Sequence, residues 1–272
     1  MLDLVRTVRF CLTGSPDEIA TPCLNPYAGW PAMRGLSRYY TLVAHCRGEA
    51  DAQTGYFLDI RLIDAAVRAG ALPLLREKIG NQSAAQAADE PMGALMQALF
   101  AGVQAQLKGC LQRLEFHLTP TYALAIQSVE NAPMPTLEIR QQYDFAAAHR
   151  LAVPGLSDAE NARIFGKCSN PAGHGHNYKV EVCASAPIEK DGHTVLTRDP
   201  SLMDAWVENA LIVRLDHKHL NCDVAEFKDK NPSVEHIAQQ AWAWLAESVP
   251  STCALVEVSV WETEKTRCVV RG

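Results

Sequence analysis

The sequence predicts an α+β protein in which one fold is written twice, and three observations lead there. Strand-like and helix-like segments recur in one order in both halves, the halves align at a slowly drifting offset, and 272 residues are about twice the ~100–150 of a common domain. With 48% hydrophobic and 21% charged residues the composition is that of a globular chain with ample material for a core.

In the first half, alternating β-branched and aromatic residues mark strands at Leu4–Leu12, Leu36–Arg47 and Leu114–Ile126. Ala/Leu-rich runs of helical length mark helices at Leu58–Lys78 and Pro91–Leu111. The second half repeats the order, with strands at Pro135–Ala146, Asn177–Ala184 and Ala254–Thr263 and helices at Asp199–Leu215 and Ser233–Glu247. Pro232-Ser233-x-Glu235 reads as a helix start, Ser233 capping and an acid in the first turn. Phe10 then falls on Phe145 (offset 135), Tyr40 on Tyr178 (138), Asp64 on Asp204 and Leu75 on Leu215 (140), and Leu118 on Val260 (142). The Pro/Met-rich stretch Asn131–Pro135 is the expected linker, so the expected domains are residues 1–130 and 136–272.

A net charge of -6 argues against a protein whose main task is to neutralise nucleic-acid phosphates. Asp3, Arg6 and Arg9 interrupt the N-terminus before any apolar run forms, so neither a signal-peptide core nor a membrane span is expected and the expected location is the cytoplasm. Nine cysteines without a C-x-x-C pair make a disulfide framework or a four-cysteine zinc module improbable.

Of nine histidines only His45 and His117 lie in the first half, which directs the search for chemistry to the second. There the text runs Phe145-Ala-Ala-Ala-His149-Arg150, then Gly166-Lys167-Cys168, then His174-Gly175-His176-Asn177-Tyr178. His174 and His176 stand at i and i+2 of a β-rich run, so both leave one face. With His149 as a third ligand they form the three-protein-ligand set of a catalytic zinc site, which keeps a fourth position open. A surface His-Gly-His turn with His149 in the core is the competing reading, and the same-face pair plus an upstream third histidine favours the metal. Cys168 sits in polar loop text beside Lys167, where a nearby cation favours a thiolate able to act as base or nucleophile. Asp216-His217 places a carboxylate where it can orient a proton-moving imidazole. Glu262, at the end of the last strand, could accept two N–H groups of a guanine-like heterocycle. On position alone these last two signals are weak.

Together, F-x3-H, C-x5-HGHNY, LDHKHLN, P-S-x-E and WET, in that order over Leu137 to Gly272, resemble the 6-pyruvoyltetrahydropterin synthase family, including its 6-carboxytetrahydropterin synthase relatives. The resemblance implies a tunnelling fold (T-fold), an antiparallel four-stranded sheet with two helices on one face, copies of which assemble into a barrel, and with the internal repeat the expected fold is tandem T-fold domains. It assigns zinc to His149, His174 and His176, proton transfer to Cys168 with Asp216 and His217, and pterin contacts to Glu262, Ser233 and Glu235. The implied reaction is a lyase step on 7,8-dihydroneopterin triphosphate, eliminating triphosphate to give 6-pyruvoyltetrahydropterin in tetrahydrobiopterin synthesis. The alternatives are the 6-carboxytetrahydropterin synthase of the deazapurine (queuosine) route and a non-catalytic pterin- or metal-binding module. The Cys168-to-His174 spacing ranks the pyruvoyl reading first. Arg150, Arg163 and Lys167 are candidates for the triphosphate by charge alone. Thr194–Thr197 stands where many members have Gly-x-Val-x-Asp, which leaves the local packing open.

Carried to the first half, the offsets give Gly14 for His149, Trp30 for Cys168, Leu36 and Arg38 for the two histidines, Arg76 and Glu77 for Asp216 and His217, and Pro120 for Glu262. No functional residue survives, so residues 1–130 read as a degenerate copy that keeps the scaffold. In the implied family, sites form between subunits. The expected partners are therefore the pterin triphosphate and further copies of this chain, a trimer of two-domain chains imitating a hexamer.

Overall fold

A computed structural model of the chain describes residues 1–12, 35–81, 83–128 and 134–272. Gly14, Trp30 and residues 131–133 of the expected linker lie outside them. The fold is α+β and divides into two compact units: Met1–Ile139 with Pro187–Arg198, and Arg140–Ala186 with Asp199–Gly272. Residues 187–198 of the expected second domain thus belong to the first unit.

In the first unit β1 (Leu2–Leu12), β2 (Arg38–Gly48), β3 (Leu111–Thr119) and β4 (Tyr122–Gln127) follow one another as an antiparallel meander. The expected single strand Leu114–Ile126 is a hairpin turning at Pro120 and Thr121. A run of β-formers hides such a turn from composition, because only Pro120 lacks an amide to give the ladder. The expected helix Leu58–Lys78 is α1 (Ile60–Gly70) followed by α2 (Leu72–Asn81). Pro73 explains the break: it cannot donate to a preceding turn, and it fits only near a helix start. Asp59 caps α1 by accepting the Arg61 amide. After the short α3 (Ala84–Ala88), α4 (Met92–Gln106) ends earlier than expected, where Lys108 and Gly109 turn to positive φ. A Cβ on Gly70 would stand 2.4 Å from the Gly102 carbonyl oxygen, so glycine at both positions is what lets α1 and α4 cross so closely. Alternate residues Val8, Phe10 and Leu12 of β1, with Leu42, Ala44 and Phe116, bury against Ile63, Val67, Met96 and Leu99 of the helices.

In the second unit the strand order is β5 (Thr136–His149), β6 (His174–Pro187), β8 (Ala254–Thr263), β9 (Thr266–Arg271), while β7 (Lys218–His219) pairs parallel with β5 at Ala147 and Ala148. The terminal strand β9 was missed by the sequence reading, again because a tight turn separates it from its neighbour. Its helical segments are α5 (Asp158–Phe165), α7 (Ser201–Val207), α8 (Val213–Leu215), α9 (Leu220–Asp223) and α10 (Val234–Glu247), while α6 (Val195–Arg198) falls within the first unit. The expected helix Asp199–Leu215 is α7 and α8 joined by a π-helical turn, Glu208–Ile212, where the Asn209 side chain donates to the Ala205 carbonyl at 2.7 Å. Thr194, fully buried, accepts the Thr197 amide through its hydroxyl at 3.1 Å and so starts α6 without the family's Gly-x-Val-x-Asp.

Residues related by the offsets make the same contacts in each unit. Phe10 faces Tyr40 at 6.2 Å between ring centroids, and Phe145 stacks on Tyr178 at 4.8 Å. Asp64 accepts from Arg6 at 3.4 Å, while Asp204 accepts from Gln141, the offset partner of Arg6, at 2.7 Å. Each sheet also carries a carboxylate network on its face away from the helices. Glu257 is held by Arg140 (2.7 Å) and Arg271 (2.8 Å). Its offset counterpart Glu115 is held by Arg113 (2.9 Å), His45 (3.1 Å) and His117 (3.2 Å).

Burial alone would raise the Glu115 pKa, but the hydrogen bonds from His117, His45 and Arg113 outweigh it and hold the carboxyl well below its ordinary 4.5. Stability from a depressed carboxyl exists while it is ionised and is lost as pH falls. Glu115→Gln should lower unfolding free energy by about 1–3 kcal/mol at neutral pH. The gap from wild type should narrow once the pH drops below about 4.5. Denaturant unfolding at a series of pH values checks this, and a gap that stayed constant down to about pH 3 would reject it.

Candidate metal centre and catalytic cleft

Two neighbouring strands of the second unit bring the histidines together. Phe145, Ala147 and His149 alternate inward along β5, and His174, His176 and Tyr178 share one face of β6. His149 is fully buried, and the three ring centroids stand 4.5, 4.9 and 5.1 Å apart. One ligand nitrogen from each lies within 4.8 Å of the others. Nitrogens bound to one tetrahedral zinc at ~2.0–2.1 Å stand about 3.3 Å apart, so the span suits a single ion after small adjustments.

The protonation of His149 is set from outside the trio. Its Nδ1–H donates to the Pro232 carbonyl at 2.7 Å, which leaves the lone pair on Nε2, 3.1 Å from His174 Nε2. Burial pushes the His149 pKa down to about 4, against the help of the Pro232 carbonyl, and the neighbouring histidines depress it further. Burial and then His176 lower His174. His176 Nε2 is buried and has no hydrogen-bond partner. Neutral imidazoles with converging lone pairs repel unless a cation sits among them, so the donor set fits a metal. Glu262, on β8, points its Oε1 at the same place, 3.4 Å from His149 Nε2 and 3.6 Å from His176 Nε2.

Cys168 lies in a 3-10 turn, Gly166–Ser169, that follows α5. A capping box between Ser157 and Glu160 starts α5, and Gly166, at φ 58°, ends it. The Cys168 carbonyl accepts the Leu151 amide at 2.9 Å, which docks the turn two residues beyond His149. Burial raises the Tyr178 pKa, and the charges of Glu262 and Cys168 raise it further, so carboxylate and thiol both act on the phenol beside the trio.

Asp216 and His217 are locked to β5 through the backbone of one residue. Ala146 N–H donates to Asp216 Oδ1 at 2.8 Å, and the Ala146 carbonyl accepts the His217 amide at 2.7 Å. The Ala146 amide is the main cause that lowers the Asp216 pKa, with His217 adding to it. His217 adopts φ 57° and turns Nδ1 onto Asp216 Oδ2 at 2.7 Å, while 83% of its side chain is exposed. A cleft of about 620 Å³ runs from His176 past His219 to His217.

The family model described as 6-pyruvoyl tetrahydropterin synthase matches residues 138–272. The human 6-pyruvoyl tetrahydrobiopterin synthase is 38% identical over 135 residues, 50% of this chain and 91% of that protein. The chain belongs to the 6-pyruvoyl tetrahydropterin synthase family. The Drosophila melanogaster 6-pyruvoyl tetrahydrobiopterin synthase is also 38% identical, over 51% of this chain and 81% of its own length. The solved structure of the Caenorhabditis elegans 6-pyruvoyl tetrahydropterin synthase is 33% identical over 51% of this chain and 97% of that one, with a TM-score of 0.46. The family match leaves out the first 137 residues.

Against the family's pattern, Ser233 and Glu235 stand at the start of α10. The Ser233 hydroxyl accepts the His236 amide at 3.4 Å, and a hydrogen bond from Ser233 lowers the Glu235 pKa. They join the trio through Pro232, which the sequence reading used only as a helix-start signal. Arg150 is engaged by Asp158 (2.7 Å) and by the Ser169 carbonyl (2.9 Å). His219 was passed over: a Cβ on Gly173, at φ 72°, would meet its Nε2 at 2.8 Å and the His149 carbonyl oxygen at 3.0 Å, so its ring packs beside the trio. Its spacing of two from His217 was the available signal. In the first unit Leu36 is fully exposed, Arg38 opens β2 and Pro120 turns the hairpin, and among the described residues His149, His174 and His176 are the only candidate metal cluster.

Asp216→Ala should strand the half-buried Ala146 amide and free the strained His217, costing about 1–2 kcal/mol in denaturant unfolding. A variant as stable as wild type would show that these bonds hold nothing in place.

Proposed function

We propose that the chain is a zinc-dependent lyase that eliminates triphosphate from 7,8-dihydroneopterin triphosphate to give 6-pyruvoyltetrahydropterin. The observation that carries this reading is the convergence of three imidazole nitrogens beside a cleft that also presents His217. The names of the relatives support the pyruvoyl product over the carboxy one.

His149, His174 and His176 would hold the zinc, which supplies Lewis acidity to a substrate oxygen. Cys168 takes the proton from the side-chain carbon as thiolate. Asp216, fixed by Ala146, keeps the proton on His217 Nδ1, so Nε2 is the atom that exchanges protons in the cleft. Glu262 accepts N–H groups of the pterin from a position next to the trio, which sets ring and side chain together. Ser233 and Glu235 act on the ring only if an assembled neighbour brings it to the start of α10.

Residues 1–130 are, in this reading, a tunnelling-fold copy that has lost its site. The paired contacts Phe10–Tyr40 with Phe145–Tyr178 and Arg6–Asp64 with Gln141–Asp204 support it. Three such chains closing one barrel would carry one site per second copy. Closure would also remove free sheet edges. Among the described residues no helix is long and apolar enough to cross a membrane.

Incubation with 7,8-dihydroneopterin triphosphate should release triphosphate, and mass spectrometry should find the pyruvoyl pterin. Cys168→Ala should keep its metal and lose about 10²–10⁴ in turnover, the range of a general acid–base group. His174→Ala should lose the metal. Near-normal turnover in the first variant, or full metal content in the second, overturns the assignment. Metal analysis and light scattering should give close to one zinc per chain in an oligomer, and an active monomer would sink the assembly.

A further inference from the structure

Two cysteines of the first unit, outside the residues that the family model matches, meet where β2 ends and β3 begins. Cys46 is fully buried, and Cys110 is half-buried one residue ahead of β3. The ladder slips between them: His45 faces Arg113, but Cys46 faces Leu111. Such a bulge re-aims the side chains beside it. Both thiols are free, and they share a hydrogen bond.

The backbone holds this contact in place. After Lys108 and Gly109 turn the chain at positive φ, the Cys110 amide donates to the Leu107 carbonyl at 3.2 Å and its carbonyl accepts the Arg47 amide at 2.9 Å. Gln104 of α4 clamps the next residue, accepting the Leu111 amide at 3.0 Å and donating to the Leu111 carbonyl at 3.2 Å. Hydrogen-bonded thiols on backbones at ladder spacing are the arrangement a disulfide needs, with Cα atoms ~4.4–6.8 Å apart. The two thiols differ in reactivity. Burial pushes the Cys46 thiol up to about 12, and Cys110 raises it further, so Cys46 is a poor target for an oxidant from solution. Cys110, the more accessible of the two, is the better one.

We propose that Cys46 and Cys110 are a redox-sensitive pair, a dithiol in reducing surroundings that closes to one disulfide when hydrogen peroxide oxidises Cys110. The Cys110 sulfur attacks one peroxide oxygen, the O–O bond breaks, Cys110 becomes a sulfenic acid and water leaves. The Cys46 sulfur then attacks the Cys110 sulfur. The S–S bond forms, the S–O bond breaks, and the Cys46 proton departs with that oxygen as a second water. The two thiols lose two electrons in total, and the peroxide takes them up. Closure encloses α1, α2, α3 and α4 in one covalent loop, which restricts the unfolded chain and so stabilises the first unit. Neither the lyase reading nor the metal enters this step.

The full chain is treated with hydrogen peroxide under native conditions, its remaining thiols are alkylated, and it is digested without reductant. Mass spectrometry should find the Cys46 and Cys110 peptides joined with the loss of two hydrogens, and dithiothreitol should separate them. The unfolding midpoint of the oxidised protein should exceed that of the reduced protein by about 5–10 °C. Cys110→Ala, treated in the same way, should show no such rise, which separates this pair from the other cysteines. Cys46→Ala should leave Cys110 as a sulfenic acid that dimedone captures. Wild type in which Cys110 stays reduced, or takes up dimedone without joining Cys46, overturns the pair. A link that forms only in denaturant, or an equal rise in midpoint for Cys110→Ala, overturns it as well.

Discussion

The hydrogen bond from His149 Nδ1 to the Pro232 carbonyl is the contact on which the rest of the second unit turns. It joins the end of β5 to the start of α10, two segments 83 residues apart, at a fully buried position. A buried imidazole without that acceptor would carry an unpaired N–H and could rotate, at a cost of about 1–3 kcal/mol. With it, the ring has one tautomer and one direction for its lone pair. Pro232 has no N–H of its own to lose, and Ser233 caps the helix immediately after it. One peptide therefore ends a loop, starts a helix and orients a histidine.

Strand alternation does the remaining positioning. His149, His176 and Glu262 come from three strands adjacent in the sheet order, all on the face that packs against the helices, at the end where those strands run out of partners. The opposite face of these strands carries the carboxylate network around Glu257. Chemistry and charge are thus separated by the thickness of a sheet. In the first unit the start of β2 carries Leu36 and Arg38 at the positions that the offsets pair with His174 and His176, while Glu115 is held by two histidines and an arginine.

What could be read from the sequence was what depends on short spacing. His174 and His176 at i, i+2, the cap Ser233, and the strands that carry the trio are local patterns, and the five ordered motifs identify the family without any contact being known. Three kinds of feature stayed hidden. Hairpin turns at Pro120–Thr121 and Glu264–Lys265 sit inside β-forming text, so β4 merged with its neighbour and β9 went unseen. Backbone partners carry no side-chain identity, so nothing in the letters shows Ala146 clamping Asp216 and His217 or Pro232 fixing His149. Long-range packing decides His219, whose place beside the trio depends on a two-residue parallel bridge that no periodicity reveals. Arg150 illustrates the converse: its charge was legible, but its engagement with Asp158 and Ser169 was not.

The acidic net charge needs the same local treatment. Charges on a protein surface are screened over about 8 Å at physiological ionic strength, so an anion entering the second unit meets the groups within that distance and not the sum over the chain. Around the trio those groups have both signs: Glu262 stands 3.4 Å from His149, and Arg150 is paired with Asp158 at 2.7 Å. Other acids are neutralised locally within ion pairs such as Asp3–Arg47 and Asp59–Arg61. A chain of net charge -6 can therefore repel polyanions at long range, which suits a partner no larger than a small molecule. At contact distance the few groups lining the site set the field instead. The size of the anion, and not the sign of the protein, decides which of the two fields it experiences.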